Sequence, residues 1–214
     1  MAVASRITLA LALGILAGCS GEDLSAPPPP IGDFQLGYDI VVADNAETAG
    51  PSRKATPEEW EAAFKQEIDK RIRRYQGDRL YHIGVGVNAY ALAVPGVPVV
   101  ISPKSVVVFT VDVWDDALQR TVNAEPKKFT VFEGISGATV IGSGLTKTRE
   151  QQIQTLSENA ARKIADWLVE NKAWFTPEAV AARTALPPLP KPAAGVTPPP
   201  APPLAPSTAP VVAN

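Results

Sequence analysis

Proline placement limits the part of this chain that can form a packed core. Four consecutive prolines occupy Pro27–Pro30, and further prolines recur in the alanine-rich stretch that follows Pro177. Because proline lacks an amide donor and fixes its own φ, such runs form neither helix interiors nor central strands. They also offer too little apolar surface to offset the entropy of ordering. The sequence therefore predicts one globular domain over residues 34–176 and a disordered Ala/Pro-rich tail over residues 177–214.

The amino-terminal residues have the organisation of an export signal. Arg6 precedes the apolar run Ile7–Ile15, which is shorter than the roughly 20 residues that a helix needs to span a bilayer. A leucine, two small residues and a cysteine follow directly: Leu16, Ala17, Gly18 and Cys19. This order resembles the lipobox of bacterial lipoproteins. Residues 1–18 are therefore predicted to be a signal peptide, the alternative being an ordinary secretory signal with an incidental cysteine.

The lipobox resemblance implies that the chain is cut before Cys19 and that the Cys19 thiol carries a diacylglyceryl group. Residues 19–33 would then be a lipidated, proline-rich tether, which in extended form reaches up to about 40 Å. Ser20 follows the cysteine, and in the sorting rule of this family a residue other than aspartate there points to the periplasmic face of the outer membrane. The expected location is the cell envelope, with the membrane as a partner through the lipid.

The globular region begins with a strand pattern of period two. Its alternation predicts that five apolar side chains point to the core: Phe34, Leu36, Tyr38, Ile40 and Val42. The intervening side chains, including Gly37 and Asp39, would face the other way. This pattern predicts a half-buried first strand.

Two helices are predicted by capping signals and apolar stripes. The first begins after Thr56 and ends at Gly77, and the second begins after Thr148. Three further strands lie between them, and such an order is typical of an α/β two-layer sandwich. We predict a mixed sheet of four or five strands with both helices on one face. Because a helix connects them, the first two strands should be parallel.

The residues indicate no catalytic, metal or cofactor site. His82 is the only histidine and falls within a strand, where a structural role is favoured. Asp112, Asp115 and Asp116 lack the spacing of an EF-hand loop, and turn formation explains them. The glycine-rich residues 137–144 lack the lysine of a phosphate loop. The rival hypothesis, a hydrolytic enzyme, would require a buried carboxylate with a shifted pKa in a deep pocket.

A candidate interaction loop joins the second and third strands. It combines prolines with four bulky aliphatic residues: Val97, Val99, Val100 and Ile101. Prolines make the loop stiff, so it could bind without a large entropy cost. The alternative is that these side chains cover a sheet edge or extend a strand.

The order of elements, the lipobox, and Ile141–Leu145 leading into the final helix together resemble uncharacterised Gram-negative lipoproteins. Their domain resembles the amino-terminal domain of TolB. The chain is also similar to auxiliary lipoproteins of envelope ABC-type lipid transporters. This resemblance implies a non-catalytic binding or assembly module with an envelope protein as partner; the alternative is an accessory of a lipid-transport system. A net charge of -2 gives no general attraction to nucleic acid.

Overall fold

The computed structural model of the protein describes residues 24–94, 105–133 and 147–187. Its first half contains strand β1 (Gln35–Val42), the short strand β2 (Glu47–Thr48), helix α1 (Pro57–Ile72) and strand β3 (Leu80–Ala91). Strands β4 (Val106–Asp115), β5 (Arg120–Thr121) and β6 (Lys127–Phe132) follow. Helix α2 (Arg149–Glu170), a short 3-10 helix (Lys172–Phe175) and helix α3 (Pro177–Thr184) complete the described chain.

The strands form one mixed sheet. Strand β1 pairs in parallel with β3, as the helical crossover predicts, and β4 pairs antiparallel with β3, β5 and β6. The predicted α/β sandwich is therefore confirmed. The described sheet has six strands rather than four or five, because β2 and β5 are two-residue strands that an apolar pattern cannot reveal.

Both long helices begin at the predicted caps. The hydroxyl groups of Thr56 and Thr148 accept from the amides of Glu59 and Gln151, whose side chains accept from the cap amides in return. These reciprocal bonds satisfy amide groups that have no partner within the helix. The capping residues therefore specify where each helix starts, independently of any tertiary contact.

The core lies between the helices and one face of the sheet. From α1, Trp60, Phe64 and Ile68 are fully buried, as are Leu156 and Ile164 from α2. Aromatic rings link the layers: Phe64 meets Phe109 edge to face at 5.3 Å, and Phe109 stacks on Phe129 at 5.4 Å. Burying rings of this size contributes most of the apolar stabilisation of a small domain.

Gly77 has a different role from the one predicted. Helix α1 ends at Ile72, with Arg73 as its C-cap, so the prediction that Gly77 ends the helix is wrong. Gly77 instead lies against Phe34: its amide donates to the Phe34 carbonyl at 2.9 Å, and a Cβ on Gly77 would lie 2.3 Å from the Phe34 nitrogen. The glycine is required because the two backbones are in contact.

The predicted domain boundaries also need correction. Residues 177–187 belong to the structure, because α3 follows the 3-10 helix directly. No residue of α3 is buried, so its attachment is polar. Arg183 lies 3.5 Å from the Asp115 carboxylate, and Arg120 donates to the carbonyls of Arg183 and Pro187 at 3.2 and 2.8 Å. A search for apolar periodicity could not detect this attachment.

The domain also begins earlier than residue 34. Ile31 is only 2% exposed and belongs to the core cluster. The amide of Asp33 donates to the carbonyl of Phe175 at 3.4 Å, and the Phe175 ring meets the ring of Phe34 at 5.1 Å. The end of the predicted tether and the end of the predicted domain therefore lie side by side.

Candidate functional site

Strand β1 contains a bulge that reverses the predicted alternation. Leu36 pairs with Tyr81, but the next pair in register is Asp39 with Ile83, so β1 carries one extra residue at this point. An inserted residue turns all the following side chains to the opposite face. The prediction that Tyr38, Ile40 and Val42 face the core is wrong for this reason: they are 71%, 58% and 45% exposed.

His82 holds this bulge in place. Its Nδ1 accepts from the Tyr38 amide at 2.9 Å, and its Nε2 lies 3.0 Å from Asp116 Oδ1. Because Nδ1 accepts this bond, Nε2 is the nitrogen that donates to Asp116. A Cβ at Gly37 would lie 2.5 Å from Nδ1, so the glycine makes room for the ring. The structural role predicted for His82 agrees with these contacts.

The three aspartates near the end of β4 have separate partners. Asp115 is fully buried and forms a two-pronged ion pair with Arg79, with Nη2 2.7 Å from Oδ1 and Nε 3.1 Å from Oδ2. Asp112 accepts from Asn123, and Asp116 faces His82. Within residues 24–94, 105–133 and 147–187, no group of three or more carboxylate, histidine or cysteine side chains could hold a metal ion.

The sheet face opposite the helices is open, and its apolar side chains lie mainly at the β1 side. Ile40 is paired with Gly84 and Val42 with Gly86. Because the two glycines have no side chain, nothing on β3 covers the neighbouring aliphatic groups. We call Tyr38, Ile40 and Val42 the edge ridge. β1 is also the last strand on its side of the sheet, since β3 is the only strand paired with it among the described residues.

A shallow groove runs beside the edge ridge, between β1 and α1. Its volume is about 390 Å³, and it opens widely to solvent. Residues 58, 61, 62 and 65 of α1 form its helical side, at the spacing of one helix face. We call this the acidic groove, because it is lined by three carboxylates and one lysine: Asp39, Glu58, Glu61 and Lys65.

Asp39 is the most unusual group in the acidic groove. Its side chain is only 3% exposed, and its Oδ1 lies 3.4 Å from Arg73 Nη2. Within the described part of the chain, its Oδ2 has no hydrogen-bond partner. Burial, and then the nearby carboxylate of Asp69, raises the pKa of Asp39 above its ordinary value. A buried carboxylate with a free oxygen is costly unless a cation or donor reaches it.

Asp39 is the type of group that the rival enzyme hypothesis requires, but its surroundings differ from that hypothesis. It lies in an open groove rather than a deep pocket, and one of its oxygens is engaged by Arg73. Asp39 could not be recognised from the sequence, because a regular alternation places it on the outer face. Only the position of the bulge shows that this carboxylate turns inward.

Several residues singled out in the sequence lie outside the described residues. These are the lipobox, Leu16, Ala17, Gly18 and Cys19, and the candidate interaction loop, Val97, Val99, Val100 and Ile101. In the part of the chain that is described, no helix is both long and apolar enough to cross a membrane.

The described residues define an α/β domain with an open sheet face and an edge strand, β1, that carries exposed apolar side chains. No protein-family model and no curated protein matches the chain. Among solved structures, it is similar to a candidate lipoprotein from Caulobacter crescentus, with 17% identity, a TM-score of 0.37, and coverage of 63% of this chain and 94% of that one.

Two further structures show a similar degree of likeness. A Xanthomonas campestris protein assigned to DUF330 is 14% identical, with a TM-score of 0.36 and coverage of 67% of this chain and 94% of that one. A minor lipoprotein from Acinetobacter baumannii is 15% identical, with a TM-score of 0.29 and coverage of 63% and 94%. These similarities assign neither a family nor an activity, and they do not support the resemblance to TolB.

Proposed function

We propose that this protein is a non-catalytic binding module held on a bacterial envelope membrane by a lipid on Cys19. The exposure of the edge ridge carries the proposal for binding. Three large apolar side chains side by side on an edge strand are uncommon on a protein that works without a partner. The order Leu16, Ala17, Gly18 and Cys19 supports the lipid, and two acyl chains are enough for stable attachment.

The acidic groove favours a protein partner over a lipid. An accessory of lipid transport would need an apolar channel for acyl chains, whereas the groove beside the edge ridge is lined by Asp39, Glu58 and Glu61. Phospholipid headgroups of bacterial envelopes are neutral or anionic, so these carboxylates would not attract them. The proposed partner is therefore an envelope protein.

The lipid is tested by metabolic labelling. Radioactive palmitate should enter the wild-type protein and not Cys19→Ser, because the thiol is the only attachment point for a thioether-linked lipid. Export of both proteins is followed in parallel by fractionation, which shows that the substituted chain is still made. Equal labelling of the two proteins would contradict the proposal.

Binding at β1 is tested by photo-crosslinking in intact cells. A benzophenone side chain in place of Tyr38 should capture a discrete partner, and adding Ile40→Asp should reduce that capture at least about fivefold, because a charge would interrupt the apolar contact. The same side chain in place of Phe132, which is 57% exposed, is the control at the opposite edge.

The melting temperature must be unchanged by Ile40→Asp for the crosslinking comparison to count, and this is expected because Ile40 is mostly exposed. The benzophenone at position 38 could capture the partner equally well with and without Ile40→Asp. That result would argue against docking on the edge ridge. Failure of both probe positions to capture any protein would argue against the binding function itself.

A further inference from the structure

We propose that β1 binds its partner by strand addition, and that the added segment is an extended peptide in which apolar and basic residues alternate. This inference rests on the proposed binding function and names the chemistry of the partner. Two features carry it: the open part of the β1 edge after the bulge, and the acidic groove with the buried carboxylate of Asp39. Each restricts a different aspect of the partner.

The first half of the β1 edge is already engaged within the domain, by a bridge from Gln35 to Gln76 and by Arg73, which donates to the carbonyls of Leu36 and Gly37. The half that follows the bulge is paired only with β3 among the described residues. Natural edge strands are usually short, or carry lysine, proline or an inward-facing charge that discourages a new strand. β1 has eight residues, Gln35–Val42, without lysine, arginine or proline. Its single acidic residue, Asp39, is such an inward-facing charge: it faces the acidic groove, so it disfavours an apolar neighbour and favours a cationic one. Main-chain groups of β1 after the bulge can therefore take up an added strand that carries a cation at this position.

The two sides of β1 dictate the pattern of the added strand. Successive side chains of a strand point to opposite faces of the sheet. On one face the added residues would lie beside Ile40 and Val42, which favours apolar side chains. On the other they would lie above the acidic groove, beside Asp39 and Glu58. The neighbouring surfaces thus select an alternating segment rather than a uniformly apolar or uniformly charged one.

The charge of the groove requires cationic residues in the added strand. Its three carboxylates are offset by Lys65 and, at Asp39, by Arg73, which leaves the groove net negative. Asp39 Oδ2 is buried without a hydrogen-bond partner among the residues that the structure describes. A lysine ammonium or arginine guanidinium is the protein group best able to supply the donor. An organic cation also fits the observation that the described residues hold no metal-binding group.

A second copy of this chain is a poorer occupant of the same edge. Pairing β1 with β1 would bring two net-negative grooves together and add no basic side chain beyond the Lys65 and Arg73 that each groove already has. Like charges brought together at an interface disfavour the contact. The charge distribution therefore indicates a different protein as the source of the strand.

The test uses the full chain purified in detergent and a fluorescent decapeptide of alternating valine and lysine. Fluorescence anisotropy should show saturable binding that weakens with salt, since groove carboxylates supply part of the affinity. A valine and glutamate decapeptide should not bind. A valine and lysine peptide with alternate amides methylated should bind at least about tenfold more weakly, because it cannot form the strand ladder.

Variants then locate the site. Asp39→Asn combined with Glu58→Gln should weaken binding of the valine and lysine peptide about tenfold. The matched control is Glu125→Gln combined with Glu170→Gln, which removes the same charge at positions away from the groove and should leave affinity within about twofold. Circular dichroism melting of both variants establishes that they are folded.

Three results would overturn this inference. One is equal binding of the methylated peptide, which would rule out strand addition; another is equal loss of affinity in the test and control variants, which would rule out the groove. The third is self-association that competes with the peptide, which would identify a second copy as the occupant. If the benzophenone at position 38 still captures a partner in cells, only the proposed peptide chemistry is wrong. If that crosslinking also fails, the proposed binding function is wrong as well.

Discussion

Gly77→Ala is expected to lower the free energy of unfolding by about 3 kcal/mol, as for severe overpacking of a core. An alanine Cβ would lie 2.3 Å from the Phe34 nitrogen and 2.7 Å from the Phe34 carbonyl oxygen. These are backbone atoms, so no side-chain rotation relieves the overlap. Phe34 itself is held by stacking on Tyr81 at 5.3 Å and by Phe175, so it cannot move away without disturbing the core.

Gly84→Ala provides the matched control for this prediction. The nearest atoms to a Cβ at Gly84 are those of Asp112 at 4.0 Å, which is an ordinary contact distance. Replacing a strand glycine at such a position should be neutral or stabilise by up to about 1 kcal/mol. Urea unfolding of both variants measures the difference, and equal stabilities would show that the approach of Gly77 to Phe34 has no energetic consequence.

Asp115→Ala is expected to cost about 3 to 5 kcal/mol, and to lower the melting temperature on the order of 10 °C. Asp115 is fully buried between Arg79 and Arg183, whose side chains are only 20% and 12% exposed. Removing the carboxylate leaves both guanidinium groups without their common counter-ion. Asp116→Ala, the same change at a half-exposed neighbour, should cost under about 1 kcal/mol.

Truncation separates the two arginines. Ending the chain after Phe175 removes Arg183 and α3 but keeps the two-pronged pair between Arg79 and Asp115, so a loss of about 1 to 2 kcal/mol is expected relative to a chain that ends after Pro187. Asp115→Ala should then lower the free energy of unfolding by less in the shorter chain, because only Arg79 is left there without its counter-ion. An Asp115→Ala penalty of the same size in both chains would show that Arg183 has no energetic part in the cluster.

Local signals in the sequence were sufficient for the elements that local chemistry decides. The caps at Thr56 and Thr148 and the apolar stripes of the long helices specify where each helix begins and which face is buried. The helical crossover then makes β1 and β3 parallel. None of these features depends on a contact between distant residues.

The candidate site could not be predicted because distant contacts create it. The bulge in β1 is stabilised by His82 and by Arg73, which donates to the carbonyls of Leu36 and Gly37. Neither residue is near β1 in the sequence. Without the bulge, the alternation places the edge ridge in the core and Asp39 in solvent, which is the reverse of what the structure shows. The polar attachment of α3 could not be predicted for a similar reason, since the paired residues Arg183 and Asp115 are far apart in the chain.

The contact between Asp33 and Phe175 has a consequence for how this domain can be rearranged. Because the first and last core segments lie within hydrogen-bonding distance, a short linker could join them and new termini could be opened at an exposed turn, such as Leu118–Gln119 between β4 and β5. Domains whose ends adjoin tolerate circular permutation and insertion into a host loop. The same arrangement allows the whole domain to be inserted into a loop of another protein while its sheet stays intact.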